Sequence, residues 1–221
     1  MNQLAMAMAE LKQQKPIYQP TAFWASASER IAQDLIEAGV SQFRKIPSAT
    51  SFFVPNYSGP ASGINHAQAD MLTQALHGTY PQASKSHQAL HHFISGKQAA
   101  LADYRVLISG DSAQQLPLLQ TFSESDYGQP LEQFVWNGKR YSRSSLNYLL
   151  GLCFLKTHLG GDIPQTVLEI GGGFGTLGEI WSQSQVPHWK YIDIDIPPTQ
   201  FVADHYLRAV LGEDQVTGFT D

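Results

Sequence analysis

Apolar residues along this chain keep two different rhythms, and the change from one to the other falls near residue 166. Before that point the spacing is mostly helical. Residues 1–14 form an amphipathic stretch that Pro16 stops, and residues 28–38 form a second one that Gly39 ends, since glycine accepts the left-handed backbone of a helix C-cap. Between 46 and 63, Pro, Ser, Asn and Gly surround Phe52, Phe53, Val54 and Tyr57, the composition of a long loop with an aromatic anchor packed on helices. Asn65 as an N-cap and Gly78 as a stop predict a helix over 66–77, and a shorter helix over 86–94 closes at Gly96. From 107 to 130, Ser, Asp, Gln and Pro interrupt short apolar pieces and neither period holds, so no element is assigned.

Asn137-Gly138 stands between two aromatic-rich runs within 132–141, and this pair suits the positive φ values of a two-residue hairpin turn. Leu146, Leu149, Leu150, Cys153 and Phe154 then recur at helical spacing until Gly160-Gly161, which predicts a helix lying against the sheet that begins next. From Thr166 onward the pattern reads strand 167–170, helix 175–184, strand 191–196 and helix 199–211. Such alternation implies parallel strand pairing and an α/β fold. About 55 residues lie beyond Thr166, against roughly 100–150 for a complete nucleotide-binding α/β domain. The expected organisation is therefore a mostly helical region over 1–160, for substrate binding or as a lid, followed over 161–221 by the first part of a Rossmann-like parallel-sheet domain, truncated at its C-terminal side.

Composition narrows the partners. With 14 Lys and Arg against 19 Asp and Glu, the net charge of −5 argues against a surface built to neutralise phosphates, so no nucleic-acid partner is expected. Cys153 is the single cysteine, which excludes an intramolecular disulfide and a cysteine-rich metal site and suits a reducing, cytoplasmic setting. Residues 1–15 lack the features of a secretory signal, and the apolar run 148–155 is far short of the roughly 20 residues that span a bilayer, so no membrane partner is expected. His87 and His91 stand one helical turn apart with His92 adjacent, yet no carboxylate completes a set of ligands, and no metal is expected.

The chemistry concentrates in Val167-Leu-Glu-Ile-Gly-Gly-Gly-Phe-Gly-Thr-Leu-Gly178 and in the strand Tyr191-Ile-Asp-Ile-Asp-Ile196. Glycines let a backbone approach a ligand closely, and an acid at the tip of the next strand can accept both hydroxyls of a ribose. The candidate cofactor residues are Glu169, Gly171, Gly172, Gly173, Phe174, Gly175, Asp193 and Asp195, with Asp195 the better ribose ligand because it lies nearer the carboxyl end of its strand. Gly173, Gly175 and Gly178 also match the dinucleotide fingerprint of a nicotinamide-dependent oxidoreductase. A carboxylate at Glu169 would repel a diphosphate and attract a cationic sulfonium, which favours S-adenosylmethionine.

The segment over 167–180 followed by 191–198 resembles the class I S-adenosylmethionine-dependent methyltransferases, and more narrowly a family of sugar O-methyltransferases of glycan and glycosylated natural-product pathways. Trp24, the Phe43-Arg44 pair and residues 142–159 follow the helical N-terminal half of that family more loosely. The resemblance implies a first cofactor motif at Glu169, Gly171, Gly173 and Gly175, a ribose-binding acid at Asp195, and methyl transfer to a sugar hydroxyl. The family's later motifs have no counterpart before Asp221, so no catalytic base is assigned, and an inactive truncated fragment is a further alternative. Phe52, Phe53, Tyr57, Trp136 and Tyr141 are candidates for a platform under a sugar ring, while His188 and His205 read as solvent-facing.

Overall fold

The computed structural model describes residues 2–58, 71, 72, 74, 75, 78, 94–160 and 162–218. Helices dominate the first two thirds: α1 (Asn2–Gln13), α2 (Ala22–Ala38), α3 (Pro47–Phe52) and α4 (Lys97–Gly110). A short antiparallel hairpin, β1 (Phe134–Trp136) and β2 (Lys139–Tyr141), precedes the long α5 (Arg143–Leu159). Strand then alternates with helix: β3 (Thr166–Ile170), α6 (Thr176–Gln183), β4 (Lys190–Ile194) and α7 (Pro197–Leu211). The architecture is mixed helix and sheet, and among the described residues there are two sheets of two strands, one of them parallel. Among the described residues no helix is long and apolar enough to cross a membrane.

Local chemistry accounts for the turn of the hairpin and both ends of α5. At the hairpin tip Asn137 and Gly138 take φ of 51° and 75°, the pair of positive angles a type I′ turn needs. Ser142 caps α5 through a reciprocal box with Ser145, and Gly160 closes the helix at φ 60°.

Three expectations are corrected. The second helix begins at Ala22 rather than 28, carrying Phe23 and Trp24 on its first turn. Within the expected loop 46–63, Pro47 opens α3, because its fixed φ is already helical and its missing N–H is not needed at that position. The stretch 107–130 contains the end of α4, whose buried Ala100, Tyr104 and Leu107 keep helical spacing from Lys97 onward. The expected helices over 66–77 and 86–94 lie outside the described residues, save that Met71, Leu72, Gln74, Ala75 and Ile94 are helical.

Packing joins the two ends of the chain. One core combines Leu4 of α1, Ile31 and Leu35 of α2, and Phe43 with Phe174, Val202, Tyr206 and Leu207. A second gathers α4, the hairpin and α5 around Tyr104, Phe122, Tyr141 and Leu149. Between these regions runs a buried polar line. Arg44 Nη2 bonds Glu124 Oε1 at 2.7 Å with both side chains fully enclosed, and Ser142 Oγ donates to the same carboxylate at 2.8 Å. Arg44 also lies 5.1 Å over the Phe174 ring. Glu179 continues the line, accepting from Ser125 N–H at 2.7 Å and Tyr206 Oη at 2.6 Å, and burial pushes its carboxyl up to about 7.

β3 and β4 pair in parallel with Glu169 opposite Asp193. The face bearing Val167 and Tyr191 packs with Tyr148 and Leu152 of α5 and with Leu177 and Trp181 of α6. The other face carries Leu168, Ile170 and Ile194, which remain 57%, 80% and 53% exposed. Parallel strands in globular proteins are ordinarily covered on both faces, so this apolar surface is the most unusual feature of the fold.

Candidate functional site

The glycine turn leaves β3 and feeds α6. Gly171, Gly173 and Gly175 hold φ of 79°, 68° and 88°, where side chains other than glycine are strained. Gly172 is glycine for a different reason. A Cβ at that position would stand 2.4 Å from Asp193 Oδ1 and 2.9 Å from Glu169 Oε2, so the backbone lies directly on two carboxyl groups.

Those carboxyl groups differ in their surroundings. Glu169 accepts hydrogen bonds from Tyr148 Oη and Tyr191 Oη, each at 2.6 Å, so both its oxygens are engaged on the covered side of the sheet. Burial, together with the charges of Glu169 and Asp193, pushes both phenols well above their ordinary range, and they remain donors. Asp193 has both oxygens buried and no hydrogen-bond partner for either. Burial first, then the charges of Glu169 and Asp195, push its carboxyl up to about 7. The amides of Gly172 and Ile194 offset this in part electrostatically, without reaching hydrogen-bond geometry. Asp195 lies just beyond β4 and is well supplied: Oδ2 accepts from Gly173 N–H at 2.8 Å and Oδ1 from Ile196 N–H at 2.7 Å.

Above the turn opens a cleft of about 610 Å³. Gly171, Gly172, Gly173, Phe174 and Asp195 line it, while Gly175 caps α6 against Leu207, and Glu169 and Asp193 lie beneath the turn rather than in the wall. Glu169 therefore lies below the glycine turn rather than at the mouth where it was expected. Of the five aromatic candidates, Phe52 and Phe53 reach the cleft, whereas Tyr57, Trp136 and Tyr141 belong to the second core.

In the opposite wall, Phe52 is a candidate from the sequence, whereas Ser144, Asn147 and Tyr148 are not singled out by it. Trp24 joins Phe52, with ring centroids 6.1 Å apart, and α5 contributes Ser144, Asn147 and Tyr148. Their spacing of three and four residues on the first turns of a capped helix was the available signal. Ser144 and Thr176 are only 5% and 1% exposed, and both border the cleft.

Comparison of the chain with family models, curated proteins and solved structures returned no match. What the cleft can hold follows from its charge. Among the described residues no Lys, Arg or His lines it, and three carboxyl groups surround or underlie its glycine floor. Such a floor favours a cation and disfavours a phosphate. A smaller hollow of about 400 Å³ lies by the amino end of β3, but the Lys156 ammonium beside it is already taken by Asp111 Oδ1, Ser112 O and Pro117 O. Among the described residues no group of three His, Cys, Asp or Glu is arranged to hold a metal ion, and His87, His91 and His92 lie outside them.

Proposed function

We propose that the chain carries the cofactor site of an S-adenosylmethionine-dependent O-methyltransferase, acting in the cytoplasm on a sugar hydroxyl of a glycan or glycosylated natural product. Its strand and helix alternation from Thr166 is read as the start of a Rossmann-like sheet, with residues before 160 supplying the acceptor wall. The observation that carries this reading is the acidic floor formed by Glu169, Asp193 and Asp195 around the glycine turn, with no Lys, Arg or His in the cleft wall among the described residues.

The residues present suit the cofactor. Asp195 would take the ribose hydroxyls, because each carboxylate oxygen keeps acceptor capacity beyond the one amide it now serves. Gly171 to Gly173 allow close approach of the ligand to backbone, and the negative floor favours its sulfonium and ammonium. Bound there, S-adenosylmethionine supplies an electrophilic methyl group for transfer to an oxygen. Trp24 and Phe52 offer apolar faces for the acceptor ring and exclude water, while Ser144 and Asn147 offer hydrogen bonds that orient it.

A nicotinamide-dependent oxidoreductase is the rival reading, and one observation favours it. Gly178 lies tightly under Tyr191, where a Cβ would come within 2.7 Å of the ring, as the third glycine of a dinucleotide fingerprint requires. The same packing serves either cofactor, and a diphosphate would face the three carboxyl groups. Titration calorimetry of the chain with S-adenosylhomocysteine and with NAD separates them. Micromolar binding of the homocysteine ligand and none of NAD is expected, and the reverse would overturn the assignment.

A further inference from the structure

Among the described residues Asp193 is the carboxyl group at the turn that meets no donor at hydrogen-bond geometry, the Gly172 and Ile194 amides only offsetting its burial in part. Both oxygens are buried, and its neighbours are negative or already committed: Glu169 on β3, which holds the Tyr148 and Tyr191 hydroxyls, and Asp195 two residues along its own chain. The backbone of Gly172, against which Asp193 Oδ1 rests, is at the same time part of the cleft floor. Only the thickness of a glycine therefore separates this carboxyl from a ligand. An ionised carboxylate in that position, without hydrogen bonds and next to a second carboxylate, is unfavourable until a positive charge arrives above it.

We propose that Asp193 is a ligand-linked acid: beneath the glycine turn it keeps its proton until a cation settles on that turn, and then releases it. The inference rests on the methyl-donor reading and deepens it. Proton release makes the cleft charge-selective, because the ionised form attracts a sulfonium and gives nothing to an otherwise identical neutral thioether. The sign is fixed by this chemistry. Cation affinity rises with pH through neutrality, where burial and the charges of Glu169 and Asp195 hold this carboxyl at about 7. Among the described residues no Lys, Arg or His stands in the cleft wall to blunt the effect.

Calorimetry with the full chain provides the test, using S-adenosylmethionine and S-adenosylhomocysteine between pH 5.5 and 8.5. Near pH 7 the binding enthalpy of S-adenosylmethionine should depend on buffer ionisation enthalpy, reporting release of a proton, and the preference for it over S-adenosylhomocysteine should rise about tenfold for each unit the carboxyl falls on binding. In Asp193→Asn both signals should vanish while S-adenosylhomocysteine still binds. Binding of both ligands with a pH-independent ratio and no buffer dependence would overturn the inference alone. Persistence of proton release in the variant would assign it to another group and overturn it too. Binding of neither ligand by the wild-type chain would instead overturn the methyl-donor reading on which it stands.

Discussion

Gly172 and Asp193 constrain each other, since a Cβ on the glycine would stand 2.4 Å from the carboxyl oxygen. Gly172→Ala should destabilise the fold by about 1–3 kcal/mol, since the new methyl group must displace a buried carboxyl. Adding Asp193→Ala to that variant should recover much of the loss, and urea unfolding of the two single variants and the double variant measures the coupling. Asp193 also makes a separate statement about pH. Its native carboxyl, near 7, binds protons more tightly than an unfolded one near 4, so stability from this group is full at low pH and is lost as pH rises through 7. Asp193→Asn should therefore raise the melting temperature at pH 8 by about 2–4 °C, for about 1 kcal/mol after screening of a partly exposed residue, and leave it unchanged at pH 4. Glu179, also near 7, imposes a slope of the same sign that survives this substitution. The glycines and acids of this site were legible from sequence because residue type alone advertises them. Which acid lacks donors was not, because that depends on Tyr148, distant in sequence and bonded to Glu169 instead.

Elements meet at the enclosed Arg44 and Glu124 pair. It ties the segment after α2 to the N-terminus of α5, whose capping Ser142 shares the same carboxylate. Arg44→Met should cost about 3–5 kcal/mol in urea unfolding, because Glu124 is left charged among neutral donors. Replacing both partners with apolar residues should cost less than removing the arginine alone. The hairpin, α5 and the β3 to α7 alternation could be read in advance, each from a turn pair, a glycine stop or a change of period. α3 and α4 escaped notice because neither carries a side-chain cap, and tertiary burial of Ala49, Tyr104 and Leu107 holds them where local signals are weak.

For the whole molecule, the uncovered sheet face is the property most open to measurement. Leu168, Ile170 and Ile194 form a contiguous apolar surface on neighbouring strands. The 221-residue chain should bind anilinonaphthalene sulfonate strongly in its folded state, and Leu168→Thr with Ile170→Thr should lower that fluorescence severalfold without changing the unfolding free energy in urea by more than about 1 kcal/mol. A dye signal unaffected by the pair of substitutions would place the exposed surface elsewhere. The sequence located these strands but gave no sign of a bare side, since apolar residues on both faces of a parallel strand read as an ordinary buried core.

The core shared by α1 and α7 sets a condition on how the protein is made. Leu4 has its seat among Val202, Tyr206 and Leu207, nearly two hundred residues later in the sequence. At ribosomal speeds of about 5–20 residues per second, that helix waits for roughly 10–40 seconds with its greasy side unattended. Over that interval the nascent chain is a client for holding chaperones, and slow codons late in the message would lengthen its exposure.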